Sequence, residues 1–161
     1  MDRFMREAME AGAMGMSTGL EFNPGREATV DELRRLNAIA GEYDGIYTSH
    51  VRNRDSGILH AIAEFLEVAR AGGIRAEISH LNVRHNTGAA PGAWQRAVDT
   101  VEQARRDAMD AMADTTPFRE GVHHRHELGR VDLLQHGIRV GEHLFELEAT
   151  GGAGLALLLR R

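Results

Sequence analysis

The fold is decided by residues 45–82, which read GIYTSHVRNRDSGILHAIAEFLEVARAGGIRAEISHLN. Two short β-prone runs, residues 45–48 and 74–78, are each followed by Ser-His. Between the two runs, apolar residues recur at helical spacing until Gly72-Gly73 ends the pattern. This order predicts a βαβ unit with parallel strands and a right-handed crossover. His50 and His80 would then share the carboxyl-end edge of the sheet, where α/β folds bind ligands and metals.

The same alternation extends to both sides of this unit. The other predicted elements are a helix ending at Gly12, strands at 13–17 and 109–113, and helices beginning at Thr29 and near Gly92. Four consecutive β-α units indicate either a doubly wound sheet or part of a (β/α)₈ barrel. A complete barrel needs roughly 250 residues, whereas this chain has 161. The pattern therefore predicts an α/β fold with room for about half of such a barrel.

Composition excludes several classes of protein. The net charge of −5 gives no general attraction to nucleic acid or to an anionic membrane. No cysteine is present, so disulfides and thiolate metal ligands are excluded. The sequence has no signal peptide and no apolar run long enough to span a bilayer, so a cytoplasmic protein is expected. All 19 basic residues are arginine, which we attribute to biased coding.

The two strand-terminal histidines are candidate metal ligands. Either one alone is more often a solvated or loop-bonding residue. Two histidines at equivalent ends of adjacent parallel strands lie about 5 Å apart and could share one metal ion. A catalytic zinc usually has three protein ligands and a water, and Asp114 is a candidate neighbour after the next strand. Its alternative role is to cap a loop through Thr115 or Thr116.

Arginines follow the first of these histidines closely. Arg52 and Arg54 carry planar guanidinium groups that could bind a substrate carboxylate through two parallel hydrogen bonds. The alternative is that they are ordinary surface arginines, which are common.

With these residues identified, the chain resembles the D-aminoacylase / N-acyl-D-amino-acid deacylase family of the amidohydrolase superfamily. The segments that carry the resemblance are EAMEAGAMGMSTGL at 7–20, YTSHVR at 47–52, ISHLN at 78–82 and ADTTPF at 113–118. Their order and spacing match over about residues 5 to 120. The resemblance implies a zinc-dependent (β/α)₈ barrel, of which this chain would supply the fourth to seventh strands.

The family resemblance also implies site residues and chemistry. His50 and His80 would be metal ligands, and a metal-activated water would attack the amide of an N-acyl amino acid. The catalytic carboxylate is not identified in this chain. Tentative substrate-binding residues are Arg52, Asn82 and Asp114. Many relatives carry an acidic residue where this chain has Arg54 and a lysine where it has Asn82, so the resemblance does not define the substrate preference.

Residues 121–161 leave the family pattern and form a tail of uncertain fold. The tail contains a histidine-rich run at 123–126, which is either a metal-binding motif or a solvated turn, and a low-complexity end at 151–159. A frameshift after Glu120 would explain the departure. Residues 1–120 are therefore expected to form the partial barrel.

The sequence thus predicts part of a zinc-dependent hydrolase of N-acyl (D-)amino acids that is inactive alone. The substrate would be a small molecule, without nucleic-acid or membrane partners. The alternative function is a non-catalytic α/β module that binds a partner or self-associates through open edges of the partial barrel.

Overall fold

The computed structural model describes residues 1–115 and the strand Leu155–Leu159. The elements, in chain order, are α1 Asp2–Glu10, β1 Ala13–Gly19, α2 Val30–Gly41, β2 Ile46–His50, α3 Ile58–Gly72, β3 Arg75–Ile78, α4 Ala93–Arg106, β4 Ala111–Ala113 and β5 Leu155–Leu159. Short 3₁₀ turns lie at Gly25–Glu27 and His85–Thr87. The β-α alternation predicted for residues 1–113 is confirmed, with boundaries shifted by one or two residues.

The strands form one sheet in the order β4-β3-β2-β1-β5. β1 to β4 are parallel neighbours in chain order, without the reversal of order that marks a doubly wound sheet. This progression is that of a (β/α)₈ barrel, so the structure decides between the two architectures that the sequence left open. The described residues supply four of its β-α units.

The outer edge of the first strand differs from the expectation. An open edge at β1 was predicted to favour self-association, but β5 pairs with β1 in antiparallel orientation. β4 is therefore the parallel edge strand of the described sheet. β5 is the part of residues 121–161 that the structure describes, and His123, His124 and His126 lie outside the described residues.

The two faces of the sheet have opposite character. One row across the strands, Met16, Tyr47, Ala76 and Ala111, is fully buried, and Tyr47 stacks on Phe65 of α3 with ring centres 5.1 Å apart. This face packs against the helices. The neighbouring row, Ser17, Thr48, Glu77 and Met112, is aligned on the opposite face, and it includes a carboxylate. His50 lies two residues after Thr48 in β2, so its side chain is on the same face as that of Thr48.

Local sequence signals explain the helix boundaries. The Thr29 side chain accepts a hydrogen bond from the backbone N–H of Glu32 at 3.2 Å, which confirms the predicted start of α2. Gly73 ends α3 in the left-handed conformation at φ +61°. α2 and α3 pack closely, because a Cβ at Gly41 would lie 2.2 Å from the carbonyl oxygen of Gly72. No helix within residues 1–115 is long and apolar enough to cross a membrane.

Candidate metal centre and its rim

The two predicted histidines meet at the carboxyl end of the sheet. The ring centres of His50 and His80 are 5.1 Å apart, with the ring planes at 81°. His50 is the last residue of β2, and His80 follows β3 by two residues. The backbone of His80 adopts φ +55°, a left-handed conformation that residues other than glycine rarely occupy. Such strain is concentrated at functional sites in proteins.

A buried cluster of hydroxyl groups lies beneath His50. The Thr18 hydroxyl donates to the Ser49 hydroxyl at 2.7 Å and lies 3.1 Å from the Tyr47 hydroxyl. The Ser49 hydroxyl in turn donates to the carbonyl oxygen of His50 at 3.0 Å. Burial raises the pKa of Tyr47, so its hydroxyl remains a neutral hydrogen-bonding group. The cluster links the backbone of His50, at the end of β2, to Thr18 in β1.

Asp114 lies directly beside His80. Its carboxylate accepts a hydrogen bond from the His80 backbone N–H, and one oxygen is 3.4 Å from His80 Nδ1. This is the rim position that the sequence predicted for Asp114. The alternative role of Asp114 is to cap a loop through Thr115 or Thr116. Of these two residues, Thr116 lies outside the part of the chain that the structure describes.

A second carboxylate that the sequence analysis did not identify is close to this pair. Burial raises the pKa of Glu77, and the negative charge of Asp114 raises it further, whereas His80 lowers it. The sequence signal that could have identified Glu77 is the alternation of β3, in which Ala76 and Ile78 are buried and Glu77 lies on the opposite face.

A buried arginine–glutamate network closes the rim between β1 and β3. Glu21 accepts a hydrogen bond from Arg54 and forms an ion pair with Arg84, whose Nη1 atom lies 2.5 Å from Oε1 of Glu21. Arg54 also donates to the Asn82 side chain at 3.1 Å, and its own side chain is only 6% exposed. Arg54 and Asn82, the two positions at which the sequence is expected to differ from many relatives, therefore bind each other. The Nε atom of Arg54 is buried without a hydrogen-bond partner among the described atoms.

Arg52 was predicted to bind the substrate carboxylate, but its guanidinium group forms hydrogen bonds within the chain. Its Nε and Nη2 atoms bind the carboxylate of Glu64 at 3.0 and 2.7 Å, and its Nη groups also donate to the carbonyl oxygens of Arg26 and Ala28. The structure therefore does not support the substrate-binding role, because the guanidinium already has an internal carboxylate. The helical position of Glu64, on the buried face of α3, is a sequence signal that this carboxylate needs a partner, but it does not identify Arg52 as that partner.

An aromatic residue also contacts the histidine pair. Phe22 packs edge-on against the His50 ring, with ring centres 5.7 Å apart. Within the described residues, no group of three or more His, Asp or Glu side chains is arranged to hold a metal ion. The described rim therefore offers two imidazoles, the carboxylate of Asp114 beside His80 and the nearby carboxylate of Glu77.

Comparisons with known proteins identify relatives of this chain. It is 33% identical over 121 residues to N-acyl-D-glutamate deacylase of Alcaligenes xylosoxydans xylosoxydans, an alignment that covers 73% of the chain. The crystal structure of N-acyl-D-glutamate deacylase from Bordetella bronchiseptica, complexed with zinc and a phosphonate inhibitor, matches with a TM-score of 0.65 and 31% identity. That match covers 73% of this chain and 24% of that protein. No family model matches the sequence.

A solved D-aminoacylase shares the fold, with a TM-score of 0.63 at 24% identity over 72% of this chain and 25% of its own. These comparisons confirm the predicted resemblance to the D-aminoacylase / N-acyl-D-amino-acid deacylase family of the amidohydrolase superfamily. They also confirm the fold class, because these neighbours have a TIM-barrel domain. The chain spans about a quarter of the length of the first curated relative. The alternative of a non-catalytic module is not favoured, because the relatives are deacylases.

Proposed function

We propose that this chain, a relative of N-acyl-D-amino-acid deacylases, supplies part of the metal-binding rim of an enzyme that hydrolyses the amide bond of N-acyl-D-amino acids. The observation that carries the proposal is the 5.1 Å separation of the His50 and His80 rings at the ends of adjacent parallel strands.

The histidine pair fits a zinc ion. Two imidazoles that bind one tetrahedral zinc through nitrogen atoms at about 2 Å have ring centres about 5 Å apart, close to the observed separation. Two ligands do not complete a catalytic site, so further ligands would come from outside the described residues. When bound, the metal would supply a Lewis acid that polarises the amide carbonyl and activates water.

Asp114 would act as a positioning residue for His80. Its carboxylate lies 3.4 Å from Nδ1 of His80, which favours the tautomer with the proton on Nδ1. Nε2 is then left with its lone pair available for a metal, as in other metal sites where a carboxylate orients a ligating histidine. Asn82 contributes to the rim through Arg54, to which its side-chain oxygen is already bonded.

A zinc titration tests this metal site. We expect weak zinc binding that is lost in the His50→Ala/His80→Ala variant, and binding weakened about tenfold or more in Asp114→Asn. The titration is done calorimetrically in a background where His123, His124, His126, His136 and His143 are replaced by alanine, which removes the histidines of residues 121–161. His60→Ala/His85→Ala is the matched control, because both of these residues are exposed. Identical isotherms for the two double variants would refute the site.

Activity is the test of the hydrolase assignment. We propose that the 161-residue chain does not hydrolyse N-acyl-D-amino acids alone, even with zinc, because groups that act as a unit are strongly non-additive and the described residues supply too few ligands. Adding the remaining barrel segments of a complete relative should give zinc-dependent hydrolysis that His80→Ala abolishes. Zinc-dependent turnover by the chain alone, lost in His80→Ala, would contradict the proposed inactivity. Hydrolysis unaffected by His80→Ala would contradict the assigned role of this residue.

A further inference from the structure

One large apolar side chain lies exposed at the histidine pair. Phe22 is 54% exposed, and its ring is in edge contact with the His50 ring. Exposing a phenylalanine forgoes the gain from burying it, roughly 25 cal/mol for each Å² left in water. Single exposed apolar residues are common on protein surfaces, so exposure alone would assign no role to this ring.

Both backbone polar groups of Phe22 form hydrogen bonds within its own segment. The N–H of Phe22 donates to the carbonyl oxygen of Gly19 at 3.1 Å, and its carbonyl oxygen accepts from the N–H of Arg26 at 2.8 Å. The Arg26 side chain also donates to the carbonyl oxygen of Glu21 at 2.6 Å. The backbone on each side of the ring is therefore fixed locally.

A buried ion pair anchors the same segment to the body of the fold. The Arg52 guanidinium donates to the carbonyl oxygens of Arg26 and Ala28 while it binds Glu64, whose side chain is 6% exposed. Bidentate pairing with a buried carboxylate fixes the position of a guanidinium. α3 thus holds the segment through Arg52, and the exposed ring of Phe22 is kept against a candidate metal ligand.

We infer that Phe22 is a specificity-determining residue that contacts the apolar acyl group of the substrate; this inference rests on the proposed function. A carbonyl polarised by a metal at His50 and His80 would have its acyl group bonded directly to the reacting carbon, within reach of a ring that adjoins His50. The amino-acid end of the substrate carries a carboxylate, which a phenyl ring neither hydrogen-bonds nor neutralises. The apolar end is therefore the better chemical match.

The inference predicts a dependence on acyl length. Each methylene that leaves water gains about fourfold in affinity, so N-hexanoyl-D-glutamate should bind the zinc-loaded chain about tenfold more tightly than N-acetyl-D-glutamate if part of its chain lies against Phe22. Phe22→Ala should remove most of this difference and leave the affinity for the acetyl ligand and for zinc nearly unchanged. Phe22→Leu should retain much of it, because leucine keeps an apolar surface.

Binding is measured by ligand-observed NMR titration on the full 161-residue chain, which does not require turnover. Phe4→Ala is the matched control, since Phe4 is similarly exposed at 59% and lies on α1; it should change neither affinity. Circular dichroism and urea unfolding verify that each variant is folded. An acyl-length dependence that persists in Phe22→Ala, while both ligands still bind, would overturn the inference and leave the proposed function intact. Absence of binding of both ligands to the wild-type chain would overturn the inference, whereas the proposed function, in which the chain supplies only part of the rim, is tested separately by the zinc titration.

Discussion

The ion pairs at the two ends of the parallel sheet differ in how deeply they are buried. At the carboxyl end, Arg54 and Glu21 form an ion pair in which the side chains are 6% and 10% exposed. At the amino end, Arg75 at the start of β3 pairs with Asp110 just before β4, and these side chains are 60% and 54% exposed. The two pairs have the same chemistry and both link segments that are far apart in the sequence, so burial is the main difference between them.

The difference shows which end of the sheet is constrained. Burying paired charges brings little net stability compared with apolar packing, because desolvation offsets the attraction, whereas breaking such a pair is costly. A rim built from buried pairs therefore fixes the loops after β1, β2 and β3 in one arrangement around His50 and His80. The exposed pairs at the other end leave their loops under weak constraint. The end that bears the candidate site is thus the end with fixed geometry.

The largest expected effect comes from breaking the buried network. Arg54→Ala leaves the buried carboxylate of Glu21 with Arg84 alone and removes the donor to Asn82, so we expect a loss of about 3 kcal/mol in the free energy of unfolding. Arg75→Ala, its counterpart at the amino end, should cost about 0–1 kcal/mol. Urea unfolding of the metal-free protein measures both. Equal losses would show that the contrast between the two ends has no energetic consequence.

A smaller effect is expected from the neutral hydroxyl cluster at the carboxyl end. Thr18→Val keeps the side-chain shape but removes the hydrogen bonds to Ser49 and Tyr47, so we expect a loss of about 1–2 kcal/mol. Thr100 is the matched control, because its hydroxyl bonds the carbonyl oxygen of Arg96 in an exposed helix. Thr100→Val should change stability by less than about 0.5 kcal/mol. If the two valine variants were equally stable, the cluster would have no role in supporting His50.

The sequence predicted what depends on local periodicity. The helix that begins after Thr29, the βαβ unit and the positions of His50 and His80 at one edge all follow from spacing along the chain. The partners of charged side chains do not. Glu21 meets Arg54 across 33 residues, and Arg52 meets Glu64 across the β2–α3 connection, so neither pair repeats at a helical or strand period.

Two further features depended on tertiary placement. The pairing of Leu155–Leu159 with β1 joins residues that are more than a hundred positions apart, and a low-complexity run gives no register from which to predict it. The exposed position of Phe22 beside His50 depends on the loop that Arg52 anchors. In each case the physical cause is a contact between residues far apart in the sequence, which the local spacing of apolar residues cannot predict.

The smallest expected effect concerns pH, and it should have opposite signs at the two ends. Burial and Asp114 raise the pKa of Glu77 near the carboxyl end, whereas a hydrogen bond from Arg6 lowers the pKa of the exposed Glu42 at the amino end. When the folded pKa of an acid is raised, the folded state binds more protons than the unfolded state, so stability falls as the pH rises from the unfolded pKa through the folded one. A lowered folded pKa gives the reverse, and stability is lost as the pH falls.

Glu77→Gln should therefore make the metal-free protein more stable than the wild type at neutral pH, and the difference should vanish as the pH falls below the unfolded pKa of Glu77. Glu42→Gln should be slightly less stable than the wild type at neutral pH, again with convergence in acid, and salt should reduce its effect because that pair is exposed. Urea unfolding at a series of pH values from acidic to neutral measures both differences. A Glu77→Gln variant that is less stable than the wild type at neutral pH would mean that the folded protein stabilises the charged form of Glu77.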